Sequence, residues 1–381
     1  MAKQVLPIFF ALSAWAVYAI FVFSVRNGFF AQLQHAIDTR SIPPSEVSLQ
    51  SKYTGILALD ELLLRLVPFF LAIVDGSSPG LSLHSFNFTG ALAGLWTLVC
   101  LESSRKGNRG KLIALASVFG MICQVASFGL ITPLYTAAHL LTSPTAERFG
   151  RDGVFVPYHK IMAIPFSIIV GFLLPSLIMC LPESAAGVLQ TTQERIAFWQ
   201  FWPVWVSIAQ FVFSSVIVAI CRRSGTSSRC SVRNIYAFAL CCAAIPHVAA
   251  WTISLTSMLF PTLFSADVQP SLHPAYAFLN KFPWSAERPS SIGEGALWFL
   301  QWDQLLGSLA MLTWSIALRR SAHTGSKPGK QRSLLAEAVK AFVLCLTVGV
   351  AGAAIVNMWQ RDEMLLGAAS ELTDERKRKE K

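Results

Sequence analysis

Residues 55–76 read Gly-Ile-Leu-Ala-Leu-Asp-Glu-Leu-Leu-Leu-Arg-Leu-Val-Pro-Phe-Phe-Leu-Ala-Ile-Val-Asp-Gly, a lipid-length apolar run interrupted by Asp60, Glu61, Arg65 and Asp75. Each such charge costs roughly 3 kcal/mol at mid-bilayer on insertion scales, so it is kept where it faces protein or a polar cavity. On a helical wheel with Glu61 at zero, Arg65 falls at about +40°, Pro68 at about −20° and Asp75 at about −40°. Asp60 lies about 100° to one side. The shared face of Glu61, Arg65 and Asp75 therefore points away from lipid. Glu61 and Arg65, four residues apart, are spaced to pair. One reading of these groups is a salt bridge that locks helices together. The other is a carboxylic acid in an apolar cavity, where a neutral, protonated carboxyl is favoured and can serve as a proton source. With Glu61 held by Arg65, Asp60 and Asp75 compete for that role.

Working outward, the 381-residue chain is 54% hydrophobic and 14% charged, with mean hydropathy +0.52. A soluble domain carries about 25% charge, so the expectation is an all-α, polytopic transmembrane helical bundle in a multi-pass integral membrane protein. Apolar runs near 6–24, 55–75, 87–101, 112–141, 158–181, 198–221, 234–260, 293–318 and 334–358 predict eight to nine spans. They define a single domain over 1–358, followed by a polar, basic tail over 359–381. The N-terminal run has no small-residue cleavage pattern and reads as a retained first span. The connector 261–292, with five prolines, reads as an ordered cap or re-entrant segment.

The net charge of +10 sits in short loops, where the positive-inside rule accounts for it without nucleic acid. Arg105, Lys106, Arg109 and Lys111 argue for a cytoplasmic loop. So do Arg222, Arg223, Arg229 and Arg233, and Arg319, Arg320, Lys327, Lys330 and Arg332. The first two loops are separated by three counted spans and cannot both be cytoplasmic. Either one segment is re-entrant, or the 112–141 run, broken at Pro133, crosses more than once. The tail Arg376-Lys-Arg-Lys-Glu-Lys381 suits an anionic leaflet. Asn87-Phe88-Thr89 is a formal glycosylation sequon abutting a span and is not expected to be used.

The eight cysteines show no metal spacing and read as packing residues, so neither a zinc site nor a disulfide framework is expected. No aspartate-rich Mg²⁺ motif, Gly-x-Ser-x-Gly elbow, Walker loop, dinucleotide fingerprint or multi-histidine set is present. Redox, hydrolase and ATPase chemistry lose support, and no cofactor or metal is expected.

A second polar stripe joins Gln124, Tyr135 and His139, which lie within about 60° of one another on a helix. Pro133 precedes Tyr135, and Glu147, Arg148, Arg151, Asp152, His159 and Lys160 follow. Cavity lining and ordinary packing are both open for these residues. His247 and Trp251 mark one face of a later span; Glu294, Trp298 and Gln301 mark a face of the next, with Asp303 opposite. Trp199, Trp202 and Trp205 read as an interfacial aromatic belt before they read as a substrate wall.

The pieces Leu59-Asp60-Glu61-Leu62-Leu63 … Val74-Asp75-Gly76 and Pro133-Leu134-Tyr135-x-x-x-His139-Leu140-x-x-Ser143-Pro144 resemble a fungal group of integral-membrane proteins. That group includes the membrane-bound terpene cyclases of ascochlorin and ascofuranone biosynthesis and similar proteins of meroterpenoid and indole-diterpene pathways. The resemblance implies metal-independent cyclisation of a prenyl chain, often epoxidised, on a polyketide or aromatic head. Such chemistry starts by protonation and suits a lipophilic substrate in an endoplasmic reticulum membrane. It implies Asp60, Glu61 or Asp75 as the initiating acid, with Arg65 tuning a carboxylate. Tyr135 and His139 would line the cavity or take the final proton. Arg65, Gln124, His247, Trp251, Glu294 and Trp298 are the expected substrate contacts. A prenylated small molecule, membrane lipids and other pathway enzymes are the expected partners. An exporter of a hydrophobic metabolite, or a scaffold for pathway enzymes, would also keep buried charge pairs and broken spans.

Overall fold

The computed structural model describes residues 2–42, 47–147, 154–182, 189, 191–221, 229–326 and 333–379. Arg148, Arg151, Asp152, Arg222, Arg223, Lys327, Lys330, Arg332 and Lys381 lie outside the described residues. The fold is helical, with one two-residue strand pair, β1 (Ser41–Ile42) and β2 (Val47–Ser48), antiparallel with Ser41 opposite Ser48. The helices that matter for the site are α1 (Ala2–Arg26), α2 (Phe29–Thr39), α3 (Leu57–Val74), α4 (Pro79–Ser103), α5 (Ala116–Ala126), α6 (Phe128–Thr142) and α7 (Tyr158–Met179). They continue as α8 (Thr192–Trp199), α9 (Trp202–Cys221), α10 (Arg229–Leu259), α11 (Ile292–Ser326) and α12 (Leu334–Lys379).

Among the described residues, five helices are long and apolar enough to cross a membrane: Ala2–Arg26, Tyr158–Met179, Trp202–Ile220, Ser231–Leu259 and Leu335–Gly367. This corrects the expectation of eight to nine spans. The reason is length and composition: the 112–141 run is split into helices of 11 and 15 residues, and the 18-residue α3 carries Asp60, Glu61 and Arg65. In α4, 19 of 25 residues are buried, including His84, Ser85, Asn87 and Thr97. A helix surrounded by protein carries polar groups that a lipid-facing one would not. Its Gly90 and Gly94 let α10 approach closely: a Cβ at Gly90 would sit 2.3 Å from the Pro246 ring, and one at Gly94 would sit 2.7 Å from the Ala239 carbonyl.

The 112–141 run is divided at Ser127, not at Pro133. Ser127 has φ +82°, and its hydroxyl caps α6 by accepting the Leu130 amide; Pro133 lies inside the continuing helix. A proline removes one ladder bond, whereas a positive-φ residue turns the chain.

The region 359–381, expected as a tail, begins as interior structure. Helix α12 runs on past residue 358, and Arg361 and Asp362 are each 1% exposed. Within α12, Gly349 breaks the helix with φ +76° and ψ 167°. The Leu346 carbonyl accepts instead from His247 Nε2 at 3.4 Å, so His247 repairs the ladder at the break. A Cβ at Gly349 would stand 3.0 Å from His247 Nδ1 in a backbone conformation reserved for glycine. Gly349→Ala is expected to destabilise the fold by about 1–3 kcal/mol, read as a lowered melting temperature in detergent.

The proline-rich connector packs as short turns, including Gln269–Leu272 and Pro274–Ala277, over α4 and α10. Ser254 Oγ donates to the Leu272 carbonyl at 2.7 Å, and Gln269 Nε2 to the Ser257 carbonyl at 2.9 Å.

Candidate active site in an aromatic cavity

Helices α1 to α4, α5 to α9 and α11 enclose a cavity of about 450 Å³. Eight phenylalanines and three tryptophans line it, Phe69, Trp96, Phe128, Trp202 and Phe299 among them. Their side chains pack at ring separations of 4.6–6.4 Å, as in Phe172–Trp202 and Phe30–Phe299, so the wall is dense. Volume and lining are those of a small-molecule site. Trp199 and Trp202, 6% and 1% exposed, belong to this wall, which corrects their reading as an interfacial belt. Trp205 is half-buried and stacks on Phe198.

Among the described residues that line it, the sole carboxyl is that of Asp303 on α11. Its Oδ1 accepts the Ser127 hydroxyl at 2.5 Å and the Gly129 amide at 2.6 Å, and the Phe128 amide also faces the carboxyl. Local sequence explains this: the turn at Ser127 swings the opening amides of α6 toward α11. Gly129 has its Cα face against the Asp303 backbone, where a Cβ would come within 3.0 Å. Opposite, Gln124 Nε2 donates to Gln200 Oε1 at 2.7 Å, and Trp202 Nε1 donates to Gln124 Oε1 at 3.2 Å. Arg65 reaches the cavity rim with an exposed side chain.

The remaining expected acids are elsewhere. Asp60 is buried, and its carboxylate turns back on the loop entering α3. It accepts the amides of Tyr53 (3.1 Å), Thr54 (2.7 Å) and Gly55 (3.0 Å) and the Thr54 hydroxyl (2.9 Å). Every one of these donors lies in the same turn, so Asp60 organises the helix start. Asp75 is exposed and binds the Ser77 amide and hydroxyl at 2.9 and 2.6 Å. Glu61 is exposed as well, and among the described residues no Glu61–Arg65 ion pair forms.

Tyr135 and His139 occupy the interior but not the aromatic cavity. The Tyr135 hydroxyl donates to the Ile113 carbonyl at 3.2 Å while its ring stacks on Phe119. His139, fully buried, accepts at Nδ1 from Trp314 Nε1 at 3.1 Å and faces Glu102 Oε2 through Nε2 at 3.3 Å. An Nδ1 that accepts puts the imidazole proton on Nε2, so His139 donates to Glu102. Glu102 belongs to a buried ionic cluster with Arg105, Arg361 and Asp362.

His247 and Trp251 line a separate, smaller cavity with Gln301. Glu294 caps the start of α11 by accepting the Ser290 amide and hydroxyl, each at 2.7 Å. Trp298 stacks on Phe23, with Lys281 Nζ 5.3 Å above its ring. Of the sequence-predicted residues, the fold thus gathers Arg65 and Gln124 around one cavity and His247 and Trp251 around another. Asp303 was visible in sequence only as an acid on the face of α11 opposite Gln301; the companion signal is the Ser127-Phe-Gly129 turn.

The chain matches the CtvD domain family over residues 3–366. Terpene cyclase ctvD of Aspergillus terreus is 34% identical over 92% of this chain and 97% of its own length. Terpene cyclase ascI of Acremonium egyptiacum is 30% identical over 97% of this chain and 93% of its own length. Terpene cyclase janA of Penicillium janthinellum is 31% identical over 88% of each. No solved structure matches the chain. A family match spanning nearly every described helix, with such relatives end to end, bears out the resemblance read from the two motifs: the chain belongs to the CtvD family, among whose relatives are fungal terpene cyclases.

Proposed function

We propose that this protein is a membrane-bound terpene cyclase that closes a prenyl chain by proton-initiated, metal-independent chemistry in the aromatic cavity. The observation that carries the reading is a single carboxyl, Asp303, set into a cavity walled by eleven aromatic rings. The Ser127 hydroxyl and the Gly129 amide occupy Oδ1, so we assign the acidic proton to Oδ2. Delivered to an epoxide oxygen of the substrate, that proton breaks the C–O bond as a neighbouring alkene supplies the electron pair for a new C–C bond. The positive charge then moves along the chain past aromatic faces, each contributing about 2 kcal/mol when desolvated. Loss of a proton, or capture by a substrate hydroxyl, ends the sequence, so the product is an isomer of the substrate. The dense wall keeps water from quenching the cation, and Arg65 at the rim holds a polar head.

The substrate class is a lipophilic prenylated molecule that enters from the bilayer, made and consumed by other enzymes of a meroterpenoid or related terpenoid pathway. Residence in the endoplasmic reticulum follows from that company. Microsomes carrying only this chain, supplied with a phenol bearing an epoxidised prenyl chain, are expected to yield a cyclised product of unchanged mass. Intact substrate recovered inside the vesicles, without cyclisation, would establish an exporter instead.

A further inference from the structure

Helices α4 and α11 divide their residues between two cavities. Ser85, Phe88 and Asp303 face the aromatic one, whereas His84, Asn87 and Gln301 face the second, of about 210 Å³. Among the described residues, neither an acid nor a Lys or Arg lines this second cavity. Its polar groups are unusual in what they leave unmade. Gln301, 2% exposed, donates through Nε2 to the carbonyls of Tyr276 (2.9 Å) and Ala277 (3.1 Å). Those two bonds fix the amide orientation, and Oε1 is left buried without a partner. His84, 4% exposed, meets the Ala277 carbonyl at Nδ1 at 3.0 Å; the Leu300 carbonyl also faces the ring, and Nε2 makes no hydrogen bond. The Nδ2 of Asn280 is likewise buried and unpartnered.

Buried polar groups in proteins are mostly paired, and here three unpartnered ones from three elements, His84, Asn280 and Gln301, converge on one cavity. Trp251 and Phe278 stack beside them at 4.7 Å and 17°.

We propose that this cavity is a second binding site, for a small, neutral, flat ring carrying hydroxyl groups. A hydroxyl donates to Gln301 Oε1 and accepts from Asn280 Nδ2, which no ether or hydrocarbon does. The absence of lining charge disfavours ions, and the paired rings of Trp251 and Phe278 offer an apolar face. The site stands apart from the proposed chemistry, because none of these residues is assigned to it.

The test is equilibrium dialysis of the full chain in detergent with resorcinol as the probe. Saturable binding is expected, about tenfold or more weaker for 1,3-dimethoxybenzene, which has no donor. Asn280→Leu is expected to weaken resorcinol binding about tenfold while leaving the melting temperature unchanged or raised, since it removes an unpartnered buried amide. Gln304→Leu, on the same cavity, supplies a second variant. Asp303→Asn is expected to retain resorcinol binding. Absence of saturable binding, equal binding of the dimethyl ether, or loss of binding in Asp303→Asn would overturn the proposal. So would a lowered melting temperature with unchanged binding in Asn280→Leu, the sign that water alone satisfies these groups.

Discussion

Asp303→Asn is expected to lower turnover by about 10²–10⁴-fold, the usual contribution of a positioned general acid, with little change in melting temperature. The amide oxygen of asparagine keeps an acceptor for the Ser127 hydroxyl and the Gly129 amide, so the junction of α5 and α6 stays anchored to α11. What asparagine lacks is a transferable proton. A purely structural Asp303, acting as a cap in trans for α6, predicts the reverse: activity preserved in Asp303→Asn, with activity and stability lost together in Asp303→Ala. Measuring turnover and melting for both variants separates the two. A wild-type rate in Asp303→Asn would remove Asp303 from the chemistry and return the search for an acid to Asp60 and Asp75. Those two are expected to matter less, because the Asp60 carboxylate already accepts four hydrogen bonds in its own turn and Asp75 faces outward.

Arg361→Met is expected to destabilise the protein by about 3–5 kcal/mol, the cost of breaking a buried ion pair from one side. Arg361 donates to Glu102 Oε1 at 2.9 Å and to the Thr145 carbonyl at 2.7 Å. Arg105 holds the same Glu102 oxygen at 2.7 Å, the Val154 carbonyl at 2.6 Å and Asp362 Oδ2 at 2.6 Å. Tyr236 adds a bond to Asp362 Oδ2 at 2.9 Å. Two acids and two guanidinium groups, each at most 2% exposed as side chains, thus neutralise one another while tying α4, α6, α10 and α12 at one end of the bundle. Removing Arg361 leaves Glu102 with Arg105, His139 and the Thr145 hydroxyl, and orphans the Thr145 carbonyl. Melting in detergent reads the loss. Combined with Glu102→Gln, the effects are expected to sum to less than their separate values, since both remove the same contact. An unchanged melting temperature in Arg361→Met would mean that water replaces the guanidinium and that the cluster is not sealed.

His139 shows how far a motif carries. Its spacing from Tyr135 is legible in the sequence, yet the fold gives His139 to the ionic cluster through Glu102 and Trp314. Neither partner could be inferred from helical spacing, because Glu102 closes α4 and Trp314 sits on α11. By sequence alone Arg361 and Asp362 fall in a polar tail for a similar reason. Charge in a sequence looks solvated until another element brings the opposite charge.

Composition and local pattern carry the helical, apolar character and the resemblance to the family, since apolar runs and motif residues are properties of contiguous segments. The division of the chain into membrane-length helices was decided by the fold: Ser127 splits the 112–141 run into helices of 11 and 15 residues, and α4, with His84, Asn87 and Thr97, is largely buried in protein. The same holds for the acid of the cavity. Asp60 is claimed by donors five to seven residues away, whereas Asp303 meets Ser127 and Gly129 across a separation of about 175 residues in the chain. A buried carboxyl takes its role from the donors and walls around it, and those are assembled only when distant helices pack.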